Sequence, residues 1–185
     1  MYTKLSRWQI VGFIFTCIAG VLLHFLFDWS GGSVLVALFS AVNESIWEHM
    51  KLLFFPMFAF ALLENRYLGT VYKNFFCVKL IGIAIGTALI PILYYTLNGM
   101  LGNLPDWVNI AIFFVCAFIS YYIENRLFAN NTVSCRSPQS AVWILITVAL
   151  VFSIITFFPP KIPLFKDPMT GTYGYWKESS QENLE

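Results

Sequence analysis

The residues best equipped for chemistry are the chain's two histidines, His24 and His49, and the polar run around the second of them. That run reads Asn43-Glu44-Ser45-Ile46-Trp47-Glu48-His49-Met50-Lys51 and lies between two apolar stretches, residues 33–42 and 52–63. Three chemistries suit it. Imidazole and carboxylate could ligate Zn²⁺ or a similar divalent metal and leave a position open for water. A Glu–His pair could transfer protons. Glu48 and Lys51 could instead form a buried ion pair without chemistry. Within a lipid bilayer ionisable groups are costly, so a functional reading is the default.

Spacing sorts these groups. If the helix runs through the whole motif, Glu44, Glu48 and Lys51 share one face at i, i+4 and i+7, and Ser45 and His49 share the adjoining face. His24 and Asp28 also share a face. Counting helical rise from Glu64 puts Glu48 about 24 Å along the second span, and counting from Arg7 puts His24 about 25 Å along the first. The two histidines are therefore expected at one level, facing each other across neighbouring helices. The expected set is His24, Asp28, Asn43, Glu44, Ser45, Glu48, His49, Lys51 and Asp167, with His24, His49 and Glu48 as possible metal ligands. The spacing is not that of H-E-x-x-H, and adjacent Glu48 and His49 point about 100° apart on a helix. Purely structural roles compete with this. Asn43 can cap a helix that Glu44 then complements electrostatically, and Ser45 can bond back to the backbone. Trp47 can anchor at an interface and Lys51 can snorkel toward the headgroups. His24 can donate to a carbonyl of a neighbouring helix. Asp167, followed by Pro168 and Gly171, fits a turn.

The elements that must carry these groups are membrane helices. Of the 185 residues 58% are hydrophobic and only 11% charged, against roughly 25% charged in soluble domains. The apolar runs are continuous, as helical spans are, and lack the alternation of barrel strands. The fold class is all-α, a polytopic transmembrane bundle of about five spans near residues 8–27, up to 63, 72–97, 107–123 and 141–158. A short outer-leaflet element covers 33–42, either re-entrant, interfacial or an extension of the second span. Pro56 falls inside that second span. Residues 1–158 form the bundle and 159–185 a tail, whose Phe165, Tyr173, Tyr175 and Trp176 suit a membrane interface and whose last residues, 178–185, are polar. With the N-terminus in the cytoplasm, Lys4, Arg7, Arg66, Lys73, Arg126 and Arg136 all face the cytoplasm and the tail lies outside. A six-span alternative sends four of those cations outward and needs a ten-residue crossing, about half the required length. Gly82 and Gly86 form a small-xxx-small pair fit for a partner helix. Cys17, Cys77 and Cys116 fall in spans and Cys135 in a polar loop, so all four read as unpaired. No internal repeat stands out. A net charge of +1 without a basic run gives no reason to expect nucleic acid as a partner.

The motif from Asn43 to His49 with Lys51, together with Phe165-Lys-Asp-Pro-Met-Thr-Gly-Thr-Tyr-Gly174, resembles a small multispanning bacterial membrane-protein family of unknown function. The resemblance covers nearly the whole chain and implies a bacterial plasma membrane, with no activity attached. The leading expectation is an outward-facing polar pocket that binds or transports a small molecule, ion or lipid. One alternative is a non-catalytic accessory subunit. Another is a metal-dependent hydrolase or transferase at the outer leaflet, for which two histidines and no nucleophile motif are thin support.

Overall fold

The computed structural model describes residues 2–102 and 104–175. Trp176 and the polar segment 178–185 lie outside the described residues. Among the described residues six helices account for most of the length: α1 (Tyr2–Trp29), the single turn α2 (Val34–Ala37), α3 (Ile46–Leu68), α4 (Phe75–Leu101), α5 (Asp106–Asn130) and α6 (Pro138–Phe157). A 3₁₀ turn, Pro163–Phe165, and an isolated antiparallel bridge between Lys166 and Tyr173 shape the tail. All helices except α2 are long and apolar enough to cross a bilayer. Each apolar run must bond its own backbone internally where no water reaches, which is why it folds as a helix.

The five long helices alternate in direction. Lys4, Arg7, Arg66, Lys73, Arg126 and Arg136 therefore gather at one end of the bundle, and His24 and His49 lie at the other. In α3, 56% of the apolar window is buried, against 22% in α1 and in α6. That makes α3 the central helix: α1, α4 and α6 pack around it, and α5 closes against α1 and α4. Large apolar side chains left exposed, among them Ile10, Ile14 and Ile18 of α1 and Leu150 and Ile154 of α6, give the bundle a surface suited to lipid.

A seam of small residues sets how closely α1 approaches. Its buried stripe runs Leu5, Gln9, Gly12, Thr16, Gly20, at the three- and four-residue steps of one helix face, and reaches partly buried His24 one turn later. A Cβ at Gly12 would strike the rings of Phe60 and Tyr121. One at Gly20 would strike the Phe113 ring and come within 2.9 Å of the Leu52 carbonyl. That carbonyl stands four residues before Pro56, which has no N–H to offer it. The backbones of α1 and α3 thus meet closely just below His24 and His49. Gly82 and Gly86 do the same for α4. Their missing side chains make room for Glu124 and Ser120 of α5, so this face is covered within the chain itself.

One of the open alternatives falls away here, and one expectation changes. Residues 34–42 are not a continuation of α3; one helical turn and a series of bends dip into the bundle, where Ala37, Ser40 and Ala41 are buried. In addition, Cys77 and Cys135 form a disulfide with 5.9 Å between their Cα atoms. Helix α4 begins only at Phe75, so Cys77 lies in its first turn, beside the loop that carries Cys135. Cys17 and Cys116 are free.

Filling the α1 seam tests this account. Gly20→Val is expected to cost about 1–3 kcal/mol through overpacking and to lower the melting temperature of the detergent-solubilised protein. Gly99→Val, at a position with open space around it, serves as the control. Equal melting temperatures for the two variants would rule out a tight seam.

Candidate functional site

The cap of α3 decides which acids meet the histidines. Ser45 is the N-cap, its hydroxyl accepting from the Glu48 N–H at 3.4 Å. Ser45-Ile-Trp-Glu48 is the S-x-x-E pattern of a capping box, except that the Glu48 side chain reaches back to the Val42 N–H, at 3.2 Å, rather than to the cap residue. Asn43 is not the cap. Its side-chain oxygen accepts from the Ser45 N–H at 2.9 Å and its amide donates to the Gly174 carbonyl at 3.0 Å, which fastens the tail over the motif. Glu44 consequently precedes the helix, free of the spacing rule that would have aligned it with Glu48 and Lys51.

Three side chains converge at this end of the bundle. His24 Nε2 lies 3.5 Å from one Glu44 oxygen and His49 Nε2 lies 3.6 Å from the other. The two imidazole centroids are 5.6 Å apart. One ligand atom from each residue falls within 4.8 Å of the other two, as metal-ligating groups do. The acid in this trio is Glu44, whereas Glu48 had been the expected ligand. The histidines are partly buried and Glu44 is exposed at 46%, so the site is a shallow cluster open to its surroundings rather than an enclosed pocket. Asp28, one turn beyond His24, is exposed.

The orientation of His49 is fixed by its own helix. Its Nδ1 lies 2.9 Å from the Ser45 carbonyl. A carbonyl only accepts, so Nδ1 carries the hydrogen and Nε2 of the neutral ring turns a lone pair toward Glu44. A lone pair facing a carboxylate oxygen calls for a cation between them, either a metal ion or a proton on the ring. Backbone-fixed imidazoles of this kind are the usual support of metal-ligating histidines.

Glu48 and Lys51 face the other way, into the bundle. Lys51 is fully buried rather than snorkelling. Its Nζ donates to the Ala37 carbonyl, to Glu48 Oε2 and to Thr156 Oγ1, each at 2.8 Å, which uses all three of its hydrogens. Thr156 donates to Glu48 Oε1 at 2.9 Å. The ring so formed is closed and satisfied, and it locks the dipping loop and α6 onto α3. Trp47 packs against Phe152 of α6 and Phe165 of the tail, with centroids at 4.5 and 4.8 Å. Asp167 serves its own turn. Its oxygens accept from the Met169 N–H at 2.7 Å and the Thr170 hydroxyl at 2.8 Å. The tail meets the motif through Gly174 and Phe165, and Asp167 contributes nothing to the trio.

A second polar cluster is buried near the opposite end of the bundle: Lys79 of α4, Glu64 of α3, Glu124 of α5 and Gln9 of α1. None of these residues is in the expected set. Two signals point to them. Lys79 interrupts an apolar span, and the tripeptide Glu-Asn-Arg occurs twice, at 64–66 and 124–126, near the ends of α3 and α5. A cavity of about 560 Å³ is also at that end, lined by Tyr72, Lys73, Asn74, Asn131, Val133 and Cys135. Beside His49 lies a cleft of about 20 Å³ between Ile46, Tyr94, Asn109 and Phe113, room for a single water.

Fold and site together define a five-span helical membrane protein with an ionisable cluster at one end and charged groups buried between its helices. The chain belongs to the family described as "Family of unknown function (DUF6512)", whose model matches residues 1–175. No curated protein and no solved structure matches the chain.

The Lys51 ring gives a sharp expectation. Lys51→Met strands Glu48 without its counter-ion, a loss that typically costs about 3–5 kcal/mol for a buried pair. The melting temperature should drop steeply and recover in part when Glu48→Gln is added. A Lys51→Met protein as stable as its parent would mean that the ring does not hold the loop.

Proposed function

We propose that this protein binds a divalent cation, zinc being the best fit, at the extracytoplasmic end of a multi-pass bundle in a bacterial plasma membrane. The observation that carries the reading is the convergence of His24, Glu44 and His49 with His49 Nε2 presented as an acceptor. Donors about 2.0–2.2 Å from a tetrahedral zinc ion stand roughly 3.3 Å apart. The 3.5 and 3.6 Å contacts to Glu44 approach that spacing. Two imidazoles and one carboxylate leave a fourth position for water or for a ligand.

The orientation rests on charge. Lys4, Arg7, Arg66, Lys73, Arg126 and Arg136 share one end of the bundle, and short cytoplasmic segments are enriched in Lys and Arg. The trio is then extracytoplasmic. Below it lies a close-packed core of Leu53, Phe54, Met57 and Phe113, which favours holding a cation at the surface over conducting one through the bundle.

Protein stripped with chelator and reconstituted in lipid nanodiscs should take up one zinc per chain in competition with a chromogenic chelator. Binding should weaken on acidification, because imidazole must be free of its proton to ligate. Loss of a direct ligand in His24→Ala, His49→Ala or Glu44→Gln should weaken affinity by more than the roughly 10–100-fold typical of losing a supporting group. Zinc uptake below one per chain, or equal uptake by these variants, would refute the reading.

A further inference from the structure

The cluster around Lys79 has an unequal balance of charge. Lys79 Nζ lies 2.6 Å from Glu124 Oε2 and also contacts Glu64 Oε2. Gln9 Nε2 donates to Glu64 Oε1 at 3.0 Å. Both carboxyl groups are fully enclosed and Lys79 is 1% exposed. The rings of Phe75, Tyr121 and Phe128 lie 5.6, 5.3 and 6.0 Å from the ammonium. Tyr121 spends its hydroxyl on Thr16 of α1, at 2.9 Å. Four helices thus face the cluster. They bring one ammonium, two carboxyls, one amide and one phenol.

Two ionised carboxylates beside one ammonium leave an excess negative charge away from water, the costly arrangement for a buried ion group. The surrounding ring faces are themselves electron-rich and offset none of it. The oxygens also differ in partners. Glu64 has a contact at each oxygen, Gln9 at Oε1 and the Lys79 ammonium at Oε2, although Oε2 makes no hydrogen bond; Glu124 meets Lys79 through Oε2, and its Oε1 is buried with no hydrogen-bond partner among the described residues. A metal ion is a poor answer to the imbalance. The described cavities lie elsewhere, and Glu124 Oε1 already occupies the space where a Cβ of Gly82 would stand. A proton needs no cavity.

We infer that Lys79, Glu64 and Glu124 form a proton-binding site, in which Glu124 takes one exchangeable proton on Oε1 while Glu64 stays ionised against Lys79 and Gln9. Uptake joins a proton from water to the Glu124 carboxylate and makes the cluster neutral; release restores the negative charge between α3, α4 and α5. The site lies close to the end of the bundle that carries Arg66 and Arg126, two residues beyond each glutamate, so water at that end is the source of the proton. Its occupancy is independent of the cation site at the opposite end.

Infrared spectroscopy of the full chain in lipid nanodiscs tests this. Near neutral pH the wild-type protein should show a protonated-carboxyl stretch that shifts in heavy water, declines on alkalinisation and disappears in Glu124→Gln and also in Glu64→Gln, since either change leaves one carboxylate against the one ammonium. Lys79→Met should increase the band, because the second carboxyl then also takes a proton. Absence of the band in wild-type protein at neutral pH would overturn the proposal, and so would its persistence in Glu124→Gln. The wild-type titration needs no variant to fold, and neither outcome depends on zinc.

Discussion

The charges buried between these helices take hydrogen-bond or ion-pair partners from other parts of the chain, and that requirement sets how the helices are arranged. Lys51 cannot be satisfied by α3 alone; it takes a carbonyl from the dipping loop and a hydroxyl from α6. Lys79 takes its carboxyl partners from α3 and α5, and Gln9 adds α1. Apolar contact alone would discriminate weakly between rotated or shifted helix pairs, since lipid tails are as apolar as leucine. A helix slipped by one residue would strand a charge, which is far more expensive. The two ion clusters therefore act as register marks, one toward each end of the bundle.

Close backbone approach is the second condition, and glycine supplies it. The stripe Gly12, Thr16, Gly20 lets α1 lie directly against α3 and α5, and His24 is the next residue along the same face. The Leu52 carbonyl, left without a helical donor by Pro56, lies at the same contact. His24 and His49 stand together because the helices beneath them cannot stand apart. The geometry of the His24–Glu44–His49 trio is thus inherited from a contact one turn away from it.

Much of this was legible in the sequence. Hydropathy marks the five spans, because an apolar run of that length in lipid has no alternative to a helix. Helical rise alone puts His24 and His49 at one level. The acid that joins them was harder to read. Asn43 and Ser45 are both good caps, and choosing Asn43 extends the helix through Glu44 and swaps the roles of Glu44 and Glu48. The S-x-x-E pattern was the available clue. Lys79 and Glu124 escaped notice, and Glu64 served only as a boundary mark, because they lie within or at the ends of apolar spans, where charges are easily taken for boundary residues. The disulfide was hidden by a span drawn three residues too long at its start, which put Cys77 inside the bilayer and away from Cys135.

The order in which the chain is made gives Thr156 a significance beyond its bonds. Synthesis and membrane insertion run from the N-terminus, so α3 enters the bilayer while α6 and the tail do not yet exist. Until Thr156 arrives, Lys51 and Glu48 each lack one of their partners, and the loop at 34–42 is held by α3 alone. The Asn43 amide likewise waits for Gly174, near the end of the described chain. Helix α6 and the segment that follows it therefore complete the first half of the bundle, and a chain cut short before α6 would leave Lys51 and Glu48 without their threonine partner.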